Sequence, residues 1–244
     1  MITGAARRIG RALAERAQAA GYDVAIHTRH EDVEADAFAQ ALATQGGRVA
    51  VVTADLMIDD DLQTLTARAA EAVGPLTLLV NSASRFDDDR IQTLTAQSWD
   101  AHMGANLRAP ILLCQAFANQ LAEDREGLIV NILDQRVLRP TPQFFSYALS
   151  KAALWHATRM LAQALAPRIR VNGIGPGPTL ASIHQSPEDF AAEIAGLPLG
   201  RGASPSEIAD ALAYLIDARA VTGQMIAVDG GQHLAWKTPD IIDP

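Results

Sequence analysis

The chain has 244 residues, 49% hydrophobic and 20% charged, with a formal net charge of -8. That length suits a single globular domain over residues 1–244, and the acidic balance argues against general binding to nucleic acid or to an anionic membrane, which both need a basic surface. Cys114 is the single cysteine, so no internal disulfide can form; with no long apolar run and no signal-peptide pattern, a soluble cytoplasmic protein is expected.

In chain order, short β-branched runs alternate with amphipathic segments of helical length. "YDVAIHT", "RVAVVTA", "LTLLVNSA", "GLIVNIL", "RIRVNGIG" and "QMIAVDG" read as strands. Helices are expected at about 8–20, 31–45, 59–73, 97–122, 144–166 and 205–217. Continuous apolar strands joined by helices imply an α/β fold, a doubly wound parallel sheet with helices on both faces. Ligands of such sheets bind beyond the carboxyl ends of the strands, where the strand order switches. Only Met1 and Ile2 precede Thr3, whereas a central strand runs to about 5 residues. Either the start lacks several residues or the first strand is very short.

"TGAARRIG" follows this start and enters a helix, and its Gly4 and Gly10 permit a tight turn and close approach to a phosphate. A plain strand-to-helix turn is the alternative. Arg8 is out of place at a helix N-terminus unless an anion lies nearby. The segment Thr3-Gly4-x-x-x-Arg8-Ile9-Gly10 resembles the T-G-x-x-x-G-x-G loop of the short-chain dehydrogenase/reductase family, and the arginine in place of its middle glycine resembles the pteridine reductases. This resemblance spans nearly the entire chain and implies a Rossmann-type domain that binds NADP(H) through Thr3, Gly4, Arg8, Ile9 and Gly10.

The second strand ends in His27, Thr28, Arg29 and His30 instead of the acid that an NAD site uses for the ribose. Arg29 and Arg8 can then pair with a 2'-phosphate; solvated surface arginines are the alternative. The resemblance implies that His27, Thr28, Asp55, Leu56, Asn81, Ser82 and Ala83 also hold the cofactor, although Asp55 alone fits a helix cap. In "NSASRFDDD", it implies that Ser84 and Phe86 contact substrate, Phe86 by stacking on a pterin; core packing is the alternative for this ring. The three aspartates at 87–89 read as a solvated loop.

Tyr147 and Lys151 in "YALSK" share a helix face, and an ammonium beside a phenol lowers the phenol's pKa. With Asp134 in "LIVNILD" and Asn106 in "GANLRAP", they match the family's Asn, Ser, Tyr, Lys arrangement in order and spacing, with aspartate in place of serine. An ionised aspartate only accepts hydrogen bonds and repels a developing alkoxide, so it suits a substrate with N–H groups or a ring nitrogen that gains a proton. Pteridine reductases carry aspartate there. Asp134, Tyr147, Lys151 and Asn106 are therefore the expected catalytic residues, with Asn106 positioning a water, while Tyr147 and Lys151 also meet the cofactor and Asp134 and Tyr147 the substrate.

Further along, Pro176, Gly177 and Thr179 in "GIGPGPTL" match the family's turn beside the nicotinamide, and about 178–198 reads as a mobile substrate lid. The glycines of "AVDGGQHLAW" match a region that contributes to tetramer contacts in the family, so a homotetramer is expected. The histidines lack metal-ligand spacing and no metal is expected. Together these residues point to an NADPH-dependent reductase of dihydropterins or dihydrofolate. An NADPH-dependent carbonyl reductase of the same family and a non-catalytic NADP(H)-binding sensor are the alternatives.

Overall fold

The apolar runs form parallel strands in a computed structural model that describes residues 1–181 and 185–236. They are β1 (Val24–Thr28), β2 (Val49–Thr53), β3 (Leu78–Asn81), β4 (Gly127–Ile132), β5 (Ile169–Pro176) and β6 (Met225–Val228). β1 pairs with β2, and β3 to β6 pair in sequence order, all in parallel. Ile2 bridges to Ile26 on one side and Val80 on the other, joining the two groups into one sheet. Backbone hydrogen bonds make the join, among them Ile2 N to Ala25 O (3.0 Å), His27 N to Ile2 O (3.0 Å), Thr3 N to Val80 O (2.9 Å) and Val80 N to Met1 O (2.9 Å). The bridging segment lies where the strand order reverses.

Successive residues of a strand face opposite sides of the sheet, and each side has its own core. Val80 and Val130 pack with Leu13, Ile208 and Leu212 on one face, while Leu79 and Ile129 pack with Leu65, Leu113 and Phe117 on the other. The helices are α1 (Arg8–Ala19), α2 (Val33–Ala43), α3 (Asp59–Val73), α4 (Ala96–Met103), α5 (Ala109–Gln120), α6 (Phe145–Leu165), α7 (Pro187–Ala195) and α8 (Pro205–Asp217). This is the expected Rossmann-type, doubly wound α/β sheet.

Three local differences from the sequence reading bear on the site. The helix expected at 97–122 is interrupted by a π turn, Gly104–Arg108, between α4 and α5. Such a turn accommodates one extra residue and often marks a functional position; here it carries Asn106, which is fully buried. The expected lid contains α7, with Ser186 capping the Asp189 N–H and Pro187 in the first turn; residues 182–184 of that segment, including His184, lie outside the described residues.

The third difference is Asp89, expected in a solvated loop yet only 3% exposed. Phe144, the residue before α6, is in the left-handed region (φ 52°) and provides no side-chain cap. Asp89 takes over: its Oδ1 accepts from Ser146 N (2.9 Å), its Oδ2 from Ser146 Oγ, and its carbonyl from Phe145 N (3.0 Å). A carboxylate also suits the positive end of a helix. Burial works against the charge, but the two Ser146 bonds, with smaller help from Ser98 and His102, together hold this carboxyl below its ordinary pKa.

Asp89→Ala should therefore cost about 1–3 kcal/mol, because it strands buried polar groups of Ser146 as well as removing a cap. Urea unfolding midpoints measure this, and Asp89→Asn should recover part of the loss. An alanine variant as stable as the parent would show that the aspartate does not secure this helix.

Candidate functional site

The carboxyl ends of the strands open onto a cleft of about 970 Å³. Gly4 (φ 63°) begins its floor, and a Cβ there would lie 2.9 Å from Ala83 Cα; a Cβ on Gly10 would lie 2.1 Å from Gly4 O. Only glycine fits either place. Gly4 N donates to His27 Nδ1 (3.2 Å), so the proton of this imidazole is on Nε2, which donates to Ala54 O (2.9 Å). Burial lowers the His27 pKa, so it remains neutral and ties the glycine loop to the ends of two strands.

Thr3, Thr28 and Asn81, expected to hold the cofactor, lie beneath the floor and do not line the cleft. Thr3 Oγ1 accepts from Ser82 N (2.9 Å) and Ala83 N (3.0 Å). Thr28 Oγ1 faces Thr53 Oγ1 (3.3 Å), and Asn81 Nδ2 donates to Asn131 Oδ1 (2.8 Å). These short polar side chains are consumed by fastening strand ends together. Ile9, Leu56, Ser82, Ala83, Pro176, Gly177 and Thr179 do line it.

At the end of the cleft beside β1, Arg29 and Arg8 both line the wall but are differently engaged. Arg8 donates to Leu180 O (3.1 Å) and Ala181 O (3.2 Å) in the lid segment. Arg29 forms an ion pair with Asp55 (Nη2 to Oδ2 2.8 Å, Nε to Oδ2 3.0 Å). The sequence showed no acid at the strand tip, but Asp55 reaches Arg29 from the next strand end. Arg7, not singled out in the sequence, also lines this end and pairs with Asp32 (3.0 Å). A glycine floor without Cβ atoms and guanidiniums at one end fit a phosphate-bearing dinucleotide.

At the other end, the Tyr147 hydroxyl donates to Asp134 Oδ2 (2.8 Å). Asp134 also accepts from Arg136 N (2.8 Å) and from Arg136 Nη1 (3.2 and 3.4 Å). The expected lowering of the phenol pKa is not found. Burial and then the Asp134 carboxylate push it well above its ordinary value. The buried Lys151 ammonium lies 5.8 Å from the centre of the phenol ring and donates to Ile132 O (2.8 Å) rather than to the hydroxyl. Burial lowers its own pKa to about 8.

Asn106 does not line the cleft. Its Oδ1 accepts from Arg85 N (2.8 Å) and Ser84 Oγ (3.2 Å), and its Nδ2 donates to Arg85 O (2.9 Å) and Ser150 Oγ (3.1 Å). That uses every hydrogen-bonding position of an amide side chain. Asn106 is a clamp between the 84–85 loop and α6, and its side chain has no capacity left for the water expected of it.

The loop so held carries Phe86, whose ring stacks on Phe144 (centroids 4.3 Å, 14° between planes) and meets Tyr147 edge-on (4.7 Å). The Arg136 guanidinium lies over Phe144 (5.3 Å) and Phe86 (5.8 Å). Phe144 and Arg136 line the cleft and were missed in the sequence. "QFFSY" and "LDQRV" place them beside Tyr147 and Asp134 along the chain, and that adjacency was the only available signal.

A family model described as "Enoyl-(Acyl carrier protein) reductase" matches residues 4–233. The chain is 31% identical over 243 residues to glucose 1-dehydrogenase of Gluconobacter oxydans, covering 96% of this chain and 91% of that protein. Among solved structures, FolM alternative dihydrofolate reductase 1 from Brucella suis, in complex with NADP, superposes with a TM-score of 0.95 at 49% identity, covering 99% of this chain and 98% of that one. The Brucella canis protein of the same name, also with NADP, gives 0.93 at 49% identity, covering 99% and 96%.

The depressed pKa of Lys151 has a measurable sign. Between its folded value of about 8 and the ordinary 10.5, the unfolded chain holds a proton that the folded chain has lost. Stability from this group therefore rises with pH across that window and is flat below it. Urea midpoints of the protein without cofactor should show this upward increment, and Lys151→Met should abolish it; equal slopes in both proteins would mean that the buried lysine keeps its proton.

Proposed function

The chain belongs to the short-chain dehydrogenase/reductase family, and from this we propose that it is an NADPH-dependent reductase of pterins, acting on a dihydropterin or dihydrofolate. The observation that carries the reading is the hydrogen bond between Tyr147 and Asp134 at the wall of the cleft. A carbonyl reductase needs donors around an oxygen that becomes negative, and a carboxylate there opposes the reaction. A ring nitrogen that gains a proton is favoured by the same carboxylate. The 49% identity to two proteins named alternative dihydrofolate reductase supports this choice.

NADPH, when bound, supplies the hydride. The C6–N5 double bond of a 7,8-dihydropterin takes a hydride at carbon and a proton at nitrogen, so the task of the chain is to deliver one proton. Tyr147 holds that proton: its raised pKa keeps the phenol neutral until a substrate nitrogen becomes basic enough to take it. Lys151 and Arg136, the cations nearest the pair, offset the negative charge left on the phenol and Asp134. Phe86 provides a flat apolar face for a fused ring, and Asn106 fixes the loop that carries it. The glycine floor and Arg29 hold the dinucleotide, with Arg8 between it and the lid segment.

Asp134→Ser should depress dihydropterin reduction at least about tenfold, the equivalent of one charged hydrogen bond, while reduction of an activated ketone is spared or improved. Steady-state rates on both substrates test this. A parallel fall in the two activities, or a parent protein inert towards every pterin and dihydrofolate, would return the chain to the carbonyl reductases that its likeness to glucose 1-dehydrogenase represents.

Arg29→Ala should weaken NADPH about tenfold or more and leave NADH nearly unchanged, since only the former carries the 2'-phosphate. Asp55→Asn, which frees the guanidinium from its ion pair, should have the opposite sign. Titration of each cofactor reads both effects, and equal losses for NADPH and NADH would remove Arg29 from the phosphate site.

A further inference from the structure

We propose that His102 is a positioning residue: in its neutral form it fastens the Phe86 loop to the start of the Tyr147 helix, and its protonation releases the wall against which substrate lies. The inference rests on the reading above, in which substrate meets Phe86 and Tyr147. His102 is fully buried in the last turn of α4 and does not line the cleft. Its Nε2 accepts from Asp87 N (3.2 Å), so the proton of a neutral ring is on Nδ1, 2.6 Å from Ser146 Oγ. The Ser146 hydroxyl in turn donates to Asp89 Oδ2. These side chains have the composition of a nucleophilic triad, but this serine is fully buried and donates to the carboxylate instead of the imidazole. The group is a joint between three segments.

Asn106 holds Arg85 through its N–H (2.8 Å) and carbonyl (2.9 Å), while His102, from the preceding turn, holds Asp87. Phe86 lies between these two anchors, so both set where its ring meets Phe144 (4.3 Å) and the edge of Tyr147 (4.7 Å). Tyr147 itself does not depend on the Asp87 bond, because Asp89 caps α6 at Phe145 N and Ser146 N and Asp134 holds the phenol. Loss of that bond therefore moves the wall and leaves the proton donor in place.

Only an unprotonated Nε2 can accept from Asp87 N. A cationic ring presents N–H to N–H, and the bond is lost. The ionisable groups that face the ring are Asp89 (3.9 Å), Asp87 and Arg85 from the loop after β3 and Tyr147 from α6. Burial lowers the His102 pKa below its ordinary 6.5 despite the two carboxylates, so at neutral pH the ring is uncharged and the loop is anchored.

The test compares the parent with His102→Asn, whose amide can donate to Ser146 but falls short of Asp87 N, and with His102→Gln, long enough to accept from it. KM and kcat for a dihydropterin are read from about pH 8 to pH 5, with NADPH affinity as the check that each variant is folded. At neutral pH His102→Asn should raise KM about three- to tenfold, the effect expected of one hydrogen bond between uncharged groups, with kcat nearly kept. His102→Gln should recover part of the loss. As the pH falls below the histidine range the parent's KM should climb toward the asparagine value, a climb absent from both variants, which have no ring to protonate.

Amide exchange of residues 85–89 in the NADP⁺ complex needs no substrate. At neutral pH it should be faster in His102→Asn than in the parent and close to the parent's in His102→Gln. A parent inert towards every dihydropterin and dihydrofolate would remove the pterin reading, and loop exchange would then decide the role of His102 by itself. The proposal is overturned if His102→Asn matches the parent in KM and loop exchange, or loses kcat and NADPH affinity together, as a purely structural residue would. It is overturned equally if the parent's KM is level with pH or if either variant shares its climb, and should His102→Asn not fold, His102→Gln decides on that last criterion.

Discussion

Ile2 pairs with a strand on each side, and the site exists because it does. The residue bridges Ile26 and Val80, so the chain can leave in one direction to build β1 and β2 and return in the other to build β3 through β6. That reversal brings the ends of β1 and β3 to either side of Thr3 and Gly4. Thr3 then fastens the backbone of Ser82 and Ala83, Gly4 lies on Ala83 with no space for a side chain, and His27 closes the other flank. A cleft at a switch in strand order is a general property of open α/β sheets. Here it depends on the bridges made by Ile2.

Beneath the cleft, polar side chains act as fasteners more than as ligands. Asn81 and Asn131 join β3 to β4, and Asn131 continues to Thr158 on α6 (2.8 Å). Asn106 joins the 84–85 loop to Ser150 on the same helix, and Asp89 and His102 meet at Ser146. Because Asp87 N donates to His102 Nε2 (3.2 Å), the proton on this imidazole is at Nδ1 and points to Ser146 Oγ (2.6 Å). In a low-dielectric interior such bonds are strong and an orphan is expensive; among these side chains the buried orphan is Asn81 Oδ1. The helix that bears Tyr147 and Lys151 is therefore held to the sheet and to the Phe86 loop by directional bonds, and its angular position is fixed more tightly than apolar packing alone would fix it.

What the sequence discloses is whatever depends on neighbours along the chain. Apolar runs located every strand from β1 to β6, and periodicity located the helices other than α7, whose cap and first-turn signals in "SPED" were present but lay inside a segment read as irregular. The glycine loop, the Tyr147 and Lys151 pair and the unusual Asp134 were legible because each is a local pattern. Partners from distant parts of the chain were not. Nothing in "DDD" distinguishes Asp89, buried under α6, from its exposed neighbours. Nothing in "TADL" says that Asp55 will meet Arg29, and nothing in "YALSK" says that Lys151 will turn to Ile132 O while Asp134 takes the Tyr147 hydroxyl.

The π turn at Gly104–Arg108 puts α4 and α5 out of phase by one residue, about 100° of helical rotation. α4 packs on α6 while α5 packs on α3, and an uninterrupted helix would offset the two contacts by a different angle. Loss of a single residue from this turn would let the two segments run as one rod, and one of the two buried faces would have to rotate toward solvent. Length here is thus as tightly constrained as identity. Surface loops of the same chain can absorb an insertion or deletion locally, but at this turn a change of one residue would be felt at both ends of a rod that spans the domain.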